Sequence, residues 1–115
     1  MLVLFDHGTP NGLARALAEH TIHTAQSKGW DTFSNGDLLN AAEEASFDVL
    51  VTTDRRIRYQ QNLRDRHIAL VVLIGSTKWS LVRQHTDRIA AAVAAATPGS
   101  YSEVEIPLER KPGRA

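Results

Sequence analysis

Unbroken apolar segments limit how this chain can fold more than any other feature of its sequence. Leu2–Phe5, Val49–Thr52 and Ile68–Ile74 are short runs of apolar or β-branched residues without polar alternation. A strand with one face in water alternates apolar and polar side chains, so these runs indicate strands that are covered on both faces. Sheets of this kind are mostly parallel and carry helices above and below.

Helical patterns lie between the apolar runs. One helix is predicted to begin after Pro10, and a second over Gly36–Ala45 with Ser34 or Asn35 as its N-cap. A long third helix is predicted over Trp79–Ala96. Because strands and helices alternate, the sequence predicts an α/β domain with a mostly parallel central sheet and helices on both faces.

Two alternating segments, Thr21–Ala25 and Tyr101–Ile106, are predicted as further strands, the second at a sheet edge. We expect one domain over residues 1–107 and a flexible, basic tail over residues 108–115. No apolar run is long enough to span a membrane, and the N-terminal run lacks the basic start of a signal peptide.

The charge balance and the lack of cysteine restrict the possible functions. The chain has 115 residues, and its 13 basic residues equal its 13 acidic ones, so no overall charge attracts nucleic acid. RNA binding therefore requires a local basic patch. The absence of cysteine excludes disulfides and thiolate metal sites, and it suits a cytoplasmic protein.

Two carboxylates follow predicted strands. Asp6 comes directly after the first apolar run and Asp54 comes just after the Val49–Thr52 run, while Asp37 lies in the first turn of the second helix. Ligands of parallel sheets bind beyond the carboxyl ends of the strands. Carboxylates gathered there repel one another unless a cation joins them, and Mg²⁺ or Mn²⁺ prefers oxygen ligands. Helix capping is the alternative for each acid, above all for Asp37, three residues after Ser34.

The densest basic cluster begins at the proposed site. Basic side chains contact phosphates, and an aromatic ring stacks on an unpaired base. A solvated helix surface is the alternative reading of such a cluster. The candidate RNA-binding residues are Arg55, Arg56, Arg58, Tyr59 and Gln60.

Four segments carry a resemblance to a known family. Leu2–Pro10 and Gly12–Leu17 resemble the opening of the small PIN-like proteins of the DUF5615 group. Ser34–Ala42 and Phe47–Asp54 look like its second and third signatures, in the same order along the chain. The group is similar to the toxin subunits of toxin–antitoxin pairs and to the Mut7-C nuclease domains.

The resemblance implies a PIN-like three-layer α/β/α fold and a metal-dependent ribonuclease site. By position it implies that Asp6, Asp37 and Asp54 are both catalytic and Mg²⁺- or Mn²⁺-binding residues. It also implies an RNA substrate, a toxin role, a small antitoxin partner and possible pairing of two copies as a homodimer.

The chain departs from the group's pattern at the site. Many relatives carry an acid and then Asn after the first Asp, where this chain has His7 and Gly8. Many carry an acid at the position of Asn35 and another at the position of Arg56. The site is therefore poor in acids, which keeps open a second hypothesis, a PIN-like binding module that has lost catalysis.

A third hypothesis is a receiver-like domain that accepts a phosphoryl group on an acid at a strand end. That function needs paired acids after the first strand and a lysine after the last strand. The chain offers Asp6 beside His7, and Lys78 after the Ile68–Ile74 run.

Overall fold

One sheet of five parallel strands forms the centre of the described part of the chain. The structure is a computed structural model, and it describes residues 1–57, 63 and 65–108. The sheet order is β2-β1-β3-β4-β5, and every neighbouring pair is parallel. The strands are β1 (Leu2–Phe5), β2 (Thr21–Thr24), β3 (Val49–Thr52), β4 (Ala69–Gly75) and β5 (Tyr101–Ile106).

Helices cover both faces of this sheet, so the domain has the three α/β/α layers that the apolar runs predict. The α-helices are α1 (Asn35–Glu44), α2 (Trp79–Val82) and α3 (Thr86–Ala94), and 3-10 helices cover Asn11–Leu17 and Arg83–His85. Within the described ranges, no helix has the length and apolarity needed to cross a membrane.

Two separate cores result from the two faces of the sheet. On one face, Leu13 and Leu17 of the first 3-10 helix pack with Ile89 and Val93 of α3. On the other face, α1 packs against the opposite side of the same strands. The second core contains Leu4, Ala25, Leu38, Leu39, Ala42, Phe47, Leu50, Ile57, Ile68, Leu70 and Val72. The central strands are therefore buried on both faces, as their sequences indicate.

The prediction of one unbroken helix over Trp79–Ala96 was wrong. It is two short α-helices joined by a 3-10 turn, and the backbone leaves helical geometry at His85 (φ −124°, ψ 19°). Val82 and Ile89 are nevertheless buried on the same side, as predicted. Spacings of three and four residues place side chains on one face of α- and 3-10 helices alike, so apolar periodicity predicts burial without fixing the hydrogen-bond pattern.

The helix predicted after Pro10 is likewise a 3-10 helix, over Asn11–Leu17. Its first hydrogen bond runs from the Leu13 N–H to the Pro10 carbonyl, at 3.1 Å. A seven-residue segment is too short for an α-helix to be stable by propensity alone, so packing decides its form.

The order of the strands reverses between β1 and β3. The chain passes from β1 outward to β2 and then returns across β1 to form β3, so β1 and β3 are neighbours in the sheet. Their register pairs Phe5 with Val51. A crevice forms at such a reversal, at the carboxyl ends of the strands, and the residues after β1 and β3 lie at its edge.

Gly75 allows β5 to end beside β4. Its φ is +100°, and a Cβ there would lie 2.2 Å from the Ile106 carbonyl oxygen. Gly29 has a similar φ of +78°, but a Cβ there would meet nothing within 4 Å. A side chain at Gly29 would therefore cause backbone strain only, whereas a side chain at Gly75 would cause both strain and steric overlap.

We expect Gly75→Ala to lower the free energy of unfolding by roughly 3 kcal/mol, because backbone strain and overlap with Ile106 add. Gly29→Ala should cost only about 1 kcal/mol, since strain acts alone. Urea denaturation of both variants measures the difference, and equal losses would contradict the described approach of β5 to Gly75.

Candidate functional site

An open cleft of about 290 Å³ lies at the point where the strand order reverses. Asp6 lines it just beyond β1, Asp54 lines it just beyond β3, and Asn35 reaches it from the start of α1. Trp30 and Phe33, from the segment before α1, contribute aromatic surface to the same cleft. The cleft therefore combines carboxylates, an amide and aromatic rings.

Hydrogen bonds fix the carboxylate of Asp6. Its Oδ1 accepts from the Gly8 N–H at 3.1 Å and lies 2.8 Å from the Thr9 hydroxyl, and its Oδ2 accepts from the Thr52 hydroxyl. Thr9 and Thr52 are both buried. A carboxylate held by buried donors has little freedom to rotate, so the orientation of Asp6 is set before any ligand binds.

The Thr52 hydroxyl also connects the two strand ends. It accepts a hydrogen bond from the Asp54 N–H at 3.1 Å while it donates to Asp6. The side chain is fully buried at the end of β3. One hydroxyl thus sets the position of both candidate site acids relative to the sheet.

Arg56 forms a two-pronged ion pair with Asp54. The Arg56 Nε and Nη2 atoms donate to the Asp54 Oδ1 and Oδ2 atoms, each at 3.0 Å, and the Arg56 N–H donates to Oδ1 at 3.0 Å. Asn35 Nδ2 donates to Oδ2 at 3.1 Å. Chiefly because of the Arg56 hydrogen bond, the pKa of Asp54 is lowered to about 2. Asp54 is therefore an anion at neutral pH whose charge is offset by Arg56.

Asp37 lies apart from the other two acids. It is exposed, it does not line the cleft, and its N–H donates to the Ser34 hydroxyl at 3.2 Å, which caps α1. Asn35 and Asp37 are two residues apart on a helix, so they point in directions about 200° apart. Since Asn35 reaches Asp54, Asp37 points away, and among the described residues no group of three acids or histidines is placed to hold a metal ion.

The basic cluster is described only in part. Arg55 and Arg56 are exposed, and Arg56 is the partner of Asp54. Arg58, Tyr59 and Gln60 lie outside the described residues. His7 is exposed and lines the cleft beside Asp6.

The carboxylate oxygens of Asp6 and Asp54 are of the ligand type that a divalent cation prefers, and the Arg56 side chain occupies two of the Asp54 lone-pair sites. Mg²⁺ binds through one or two carboxylates and keeps several waters, so Asp6 and Asp54 are a sufficient pair. A carboxylate has about four lone-pair sites. Asp6 uses three of them in its hydrogen bonds, whereas Asp54 uses all four: two for the Arg56 side chain, one for the Arg56 backbone N–H and one for Asn35. Because the Arg56 side chain is 76% exposed, solvent screens this ion pair and its release costs little.

Sequence reasoning missed the residues that orient the site. Thr52 stands at the end of a β-branched run, where its type is explained by strand preference alone, and Thr9 stands in a turn. The sequence did contain a signal for these roles. Thr9 lies three residues from Asp6, and Thr52 lies two residues from Asp54. Of the two predicted caps of α1, Ser34 is the N-cap, and Asn35 instead donates to Asp54.

Comparisons with protein families, with curated proteins and with solved structures find no match.

Replacing Thr52 by Val should lower the free energy of unfolding by about 1.5–3 kcal/mol, because Asp6 loses a donor and the Asp54 N–H loses its acceptor. Thr21→Val, at an exposed strand position, is the matched control and should change stability by less than about 0.5 kcal/mol. Chemical denaturation measures both, and an unchanged Thr52→Val protein would show that the hydroxyl does not connect the strand ends.

Replacing Arg56 by Ala should raise the pKa of Asp54 from about 2 toward its ordinary value of 3.8. Since the folded-state pKa is lowered, the stabilisation by Arg56 is present above about pH 4 and is lost as the pH falls toward 2. Carboxyl ¹³C chemical shifts of Asp54 report the titration, with Arg55→Ala as the control. The same Asp54 pKa in wild type and Arg56→Ala would mean that the ion pair does not form in solution.

Proposed function

We propose that this chain is a PIN-like, metal-dependent endoribonuclease whose cation, Mg²⁺ or Mn²⁺, is held by Asp6 and Asp54. The observation that carries the proposal is the presence of these two carboxylates in one cleft at the carboxyl ends of neighbouring parallel strands. Ligands of open parallel sheets bind at this position. The resemblance of the Leu2–Pro10 and Phe47–Asp54 segments supplies the reaction class.

The residues of the chain have distinct parts in this proposal. Thr9 and Thr52 orient Asp6, and Asn35 orients Asp54. When bound, a divalent cation supplies water activation and neutralises the charge that develops on a phosphodiester. The Arg56 side chain leaves Asp54 as the cation binds, and its planar guanidinium is then available for phosphate oxygens, which it binds in the same two-pronged manner.

The toxin role and the antitoxin partner belong to the same proposal and come from the family resemblance. The apolar residues Val104 and Ile106 of β5 are buried within the chain itself, so they give a partner no apolar surface to cover. The outer edge of β5 is a sheet edge, to which a partner strand can add. A small antitoxin segment or a second copy of the chain fits such an edge, and a cytoplasmic location fits an RNA substrate.

A binding module without catalysis is the second candidate. The observation in its favour is the Arg56–Asp54 ion pair, which occupies the lone pairs that a cation needs. Asp37 also lies outside the cleft, and the third acid that lines it, Asp31, is not at any of the family's acid positions. In this alternative the cleft binds RNA through Arg55 and Arg56 and does not cleave it.

A receiver-like phosphoacceptor is the third candidate. The observation in its favour is the strand order β2-β1-β3-β4-β5, which flavodoxin-like and receiver domains share. Asp54 follows β3 and would be the acceptor. Its full set of hydrogen bonds disfavours nucleophilic attack, and incubation with a small phosphodonor followed by mass measurement tests this function directly.

Calorimetric titration with Mn²⁺ distinguishes these functions. We expect the wild type to bind one Mn²⁺, and Asp6→Asn and Asp54→Asn to weaken binding by about tenfold or more, because each removes a charged oxygen ligand. Asp37→Asn removes the same charge outside the cleft and is the matched control, with an expected change below about threefold. Thermal melts confirm that each variant is folded.

A variant that should gain metal affinity complements the Asp→Asn variants in the same titration. Asn35→Asp places a carboxylate beside Asp54, where many of the resembled proteins carry an acid, so Mn²⁺ affinity and RNA cleavage should both rise. A wild type that binds no Mn²⁺ would contradict the nuclease proposal and favour the binding module. If Asp37→Asn weakens binding as strongly as Asp6→Asn, then Asp37 belongs to the metal site.

A further inference from the structure

The aromatic wall of the cleft has no part in holding a metal. Phe33 is 42% exposed, although it lines the same cleft as Asp6 and Asp54. The exposed large hydrophobic side chains of the described residues are Met1, Phe33, Trp79 and Leu108. Phe33 is the member of this set that lines the acidic cleft, so its exposure requires an explanation specific to the site.

Phe33 is held as part of a rigid aromatic stack. Its ring lies parallel to that of Trp30, with an interplanar angle of 20° and centroids 6.2 Å apart. Trp30 in turn contacts buried Phe47 edge to face at 6.2 Å. The Phe33 N–H donates to the Trp30 carbonyl at 3.1 Å, and the Trp30 N–H donates to the Ala25 carbonyl at 2.8 Å. The ring is therefore fixed in place before a ligand binds, which lowers the entropy cost of stacking.

Cationic side chains lie near the stack, although the exposed acid Asp31 also lines the cleft between Trp30 and Phe33. Lys28 Nζ lies 5.9 Å from the centroid of the Trp30 ring, and Arg55 and Arg56 are exposed after β3. Phe33 also lies close to Asp54 in space, because Asn35, two residues after Phe33, donates to Asp54. A ligand whose flat ring covers Phe33 would thus carry its adjacent charged group toward the carboxylates and the arginines.

We propose that Phe33, supported by Trp30, is a stacking platform for an unpaired base of single-stranded RNA, next to the phosphodiester that the cation of Asp6 and Asp54 would bind. The inference rests on the proposed function, because it assigns that site a single-stranded substrate. Bases inside a duplex present no free face, whereas an unpaired base stacks on an aromatic side chain and is accepted whatever its sequence.

The test uses Trp30 as a fluorescent probe at the platform. The chain has two tryptophans, so Trp79→Phe leaves Trp30 as the sole one. In this background, a short single-stranded RNA and an oligonucleotide of equal length with abasic sites are titrated in EDTA, where metal plays no part. We expect the RNA to quench Trp30 fluorescence and to bind roughly tenfold more tightly than the abasic strand.

Phe33→Ala should abolish this preference for bases, and Phe33→Tyr should retain it because the ring remains. Leu108→Ala removes an exposed apolar side chain elsewhere and should leave the preference unchanged. Thermal melts and the intact binding of the Phe33→Tyr protein separate loss of stacking from loss of the fold.

Three results would overturn the inference: equal affinity for RNA and abasic strand, an unchanged preference in Phe33→Ala, or a duplex that binds as tightly as the single strand. Failure of the proposed metal site appears separately, as absence of Mn²⁺ binding in the calorimetric titration. A protein that prefers bases in EDTA but binds no Mn²⁺ would support the stacking platform and contradict the nuclease proposal.

Discussion

Parallel pairing of β1 with β3 is the constraint on which the rest of the structure depends. The pairing of Phe5 with Val51 places the residues after both strands at the same edge of the sheet, although nearly fifty positions separate them in sequence. The Asp6 N–H extends this pairing to the Val51 carbonyl at 3.0 Å. Asp6 and Asp54 therefore share a cleft because of the strand order. Their like charges are brought together by packing that both apolar cores stabilise.

Charge compensation within the cleft follows from this forced proximity. Asp6 receives neutral donors from Gly8, Thr9 and Thr52, while Asp54 receives the cationic donor Arg56. The protein without metal thus contains its own substitute for a cation, on an exposed and easily displaced side chain. Under the proposed function, an arginine that is exchanged for a metal and then binds phosphate would account for a basic residue at a position where many of the resembled proteins carry an acid.

The sheet was predictable from sequence, whereas the details of the helices and of the cleft were not. Unbroken apolar runs gave β1, β3 and β4 to within one residue, because burial on both faces leaves no other pattern. The predicted Trp79–Ala96 helix failed because periodicity does not distinguish 3-10 from α geometry. Which of Asn35 and Asp37 faces the cleft was not predictable, because the direction of each side chain depends on where α1 begins, to within one residue.

The central claim is that Asp6 and Asp54 share a divalent cation, and diffraction from crystals soaked in Mn²⁺ tests it most directly. We expect one anomalous peak about 2.1 Å from a carboxylate oxygen of each residue, with the Arg56 guanidinium displaced from Asp54. A cleft without an anomalous peak, in which Arg56 remains paired with Asp54 at high Mn²⁺ concentration, would contradict the account.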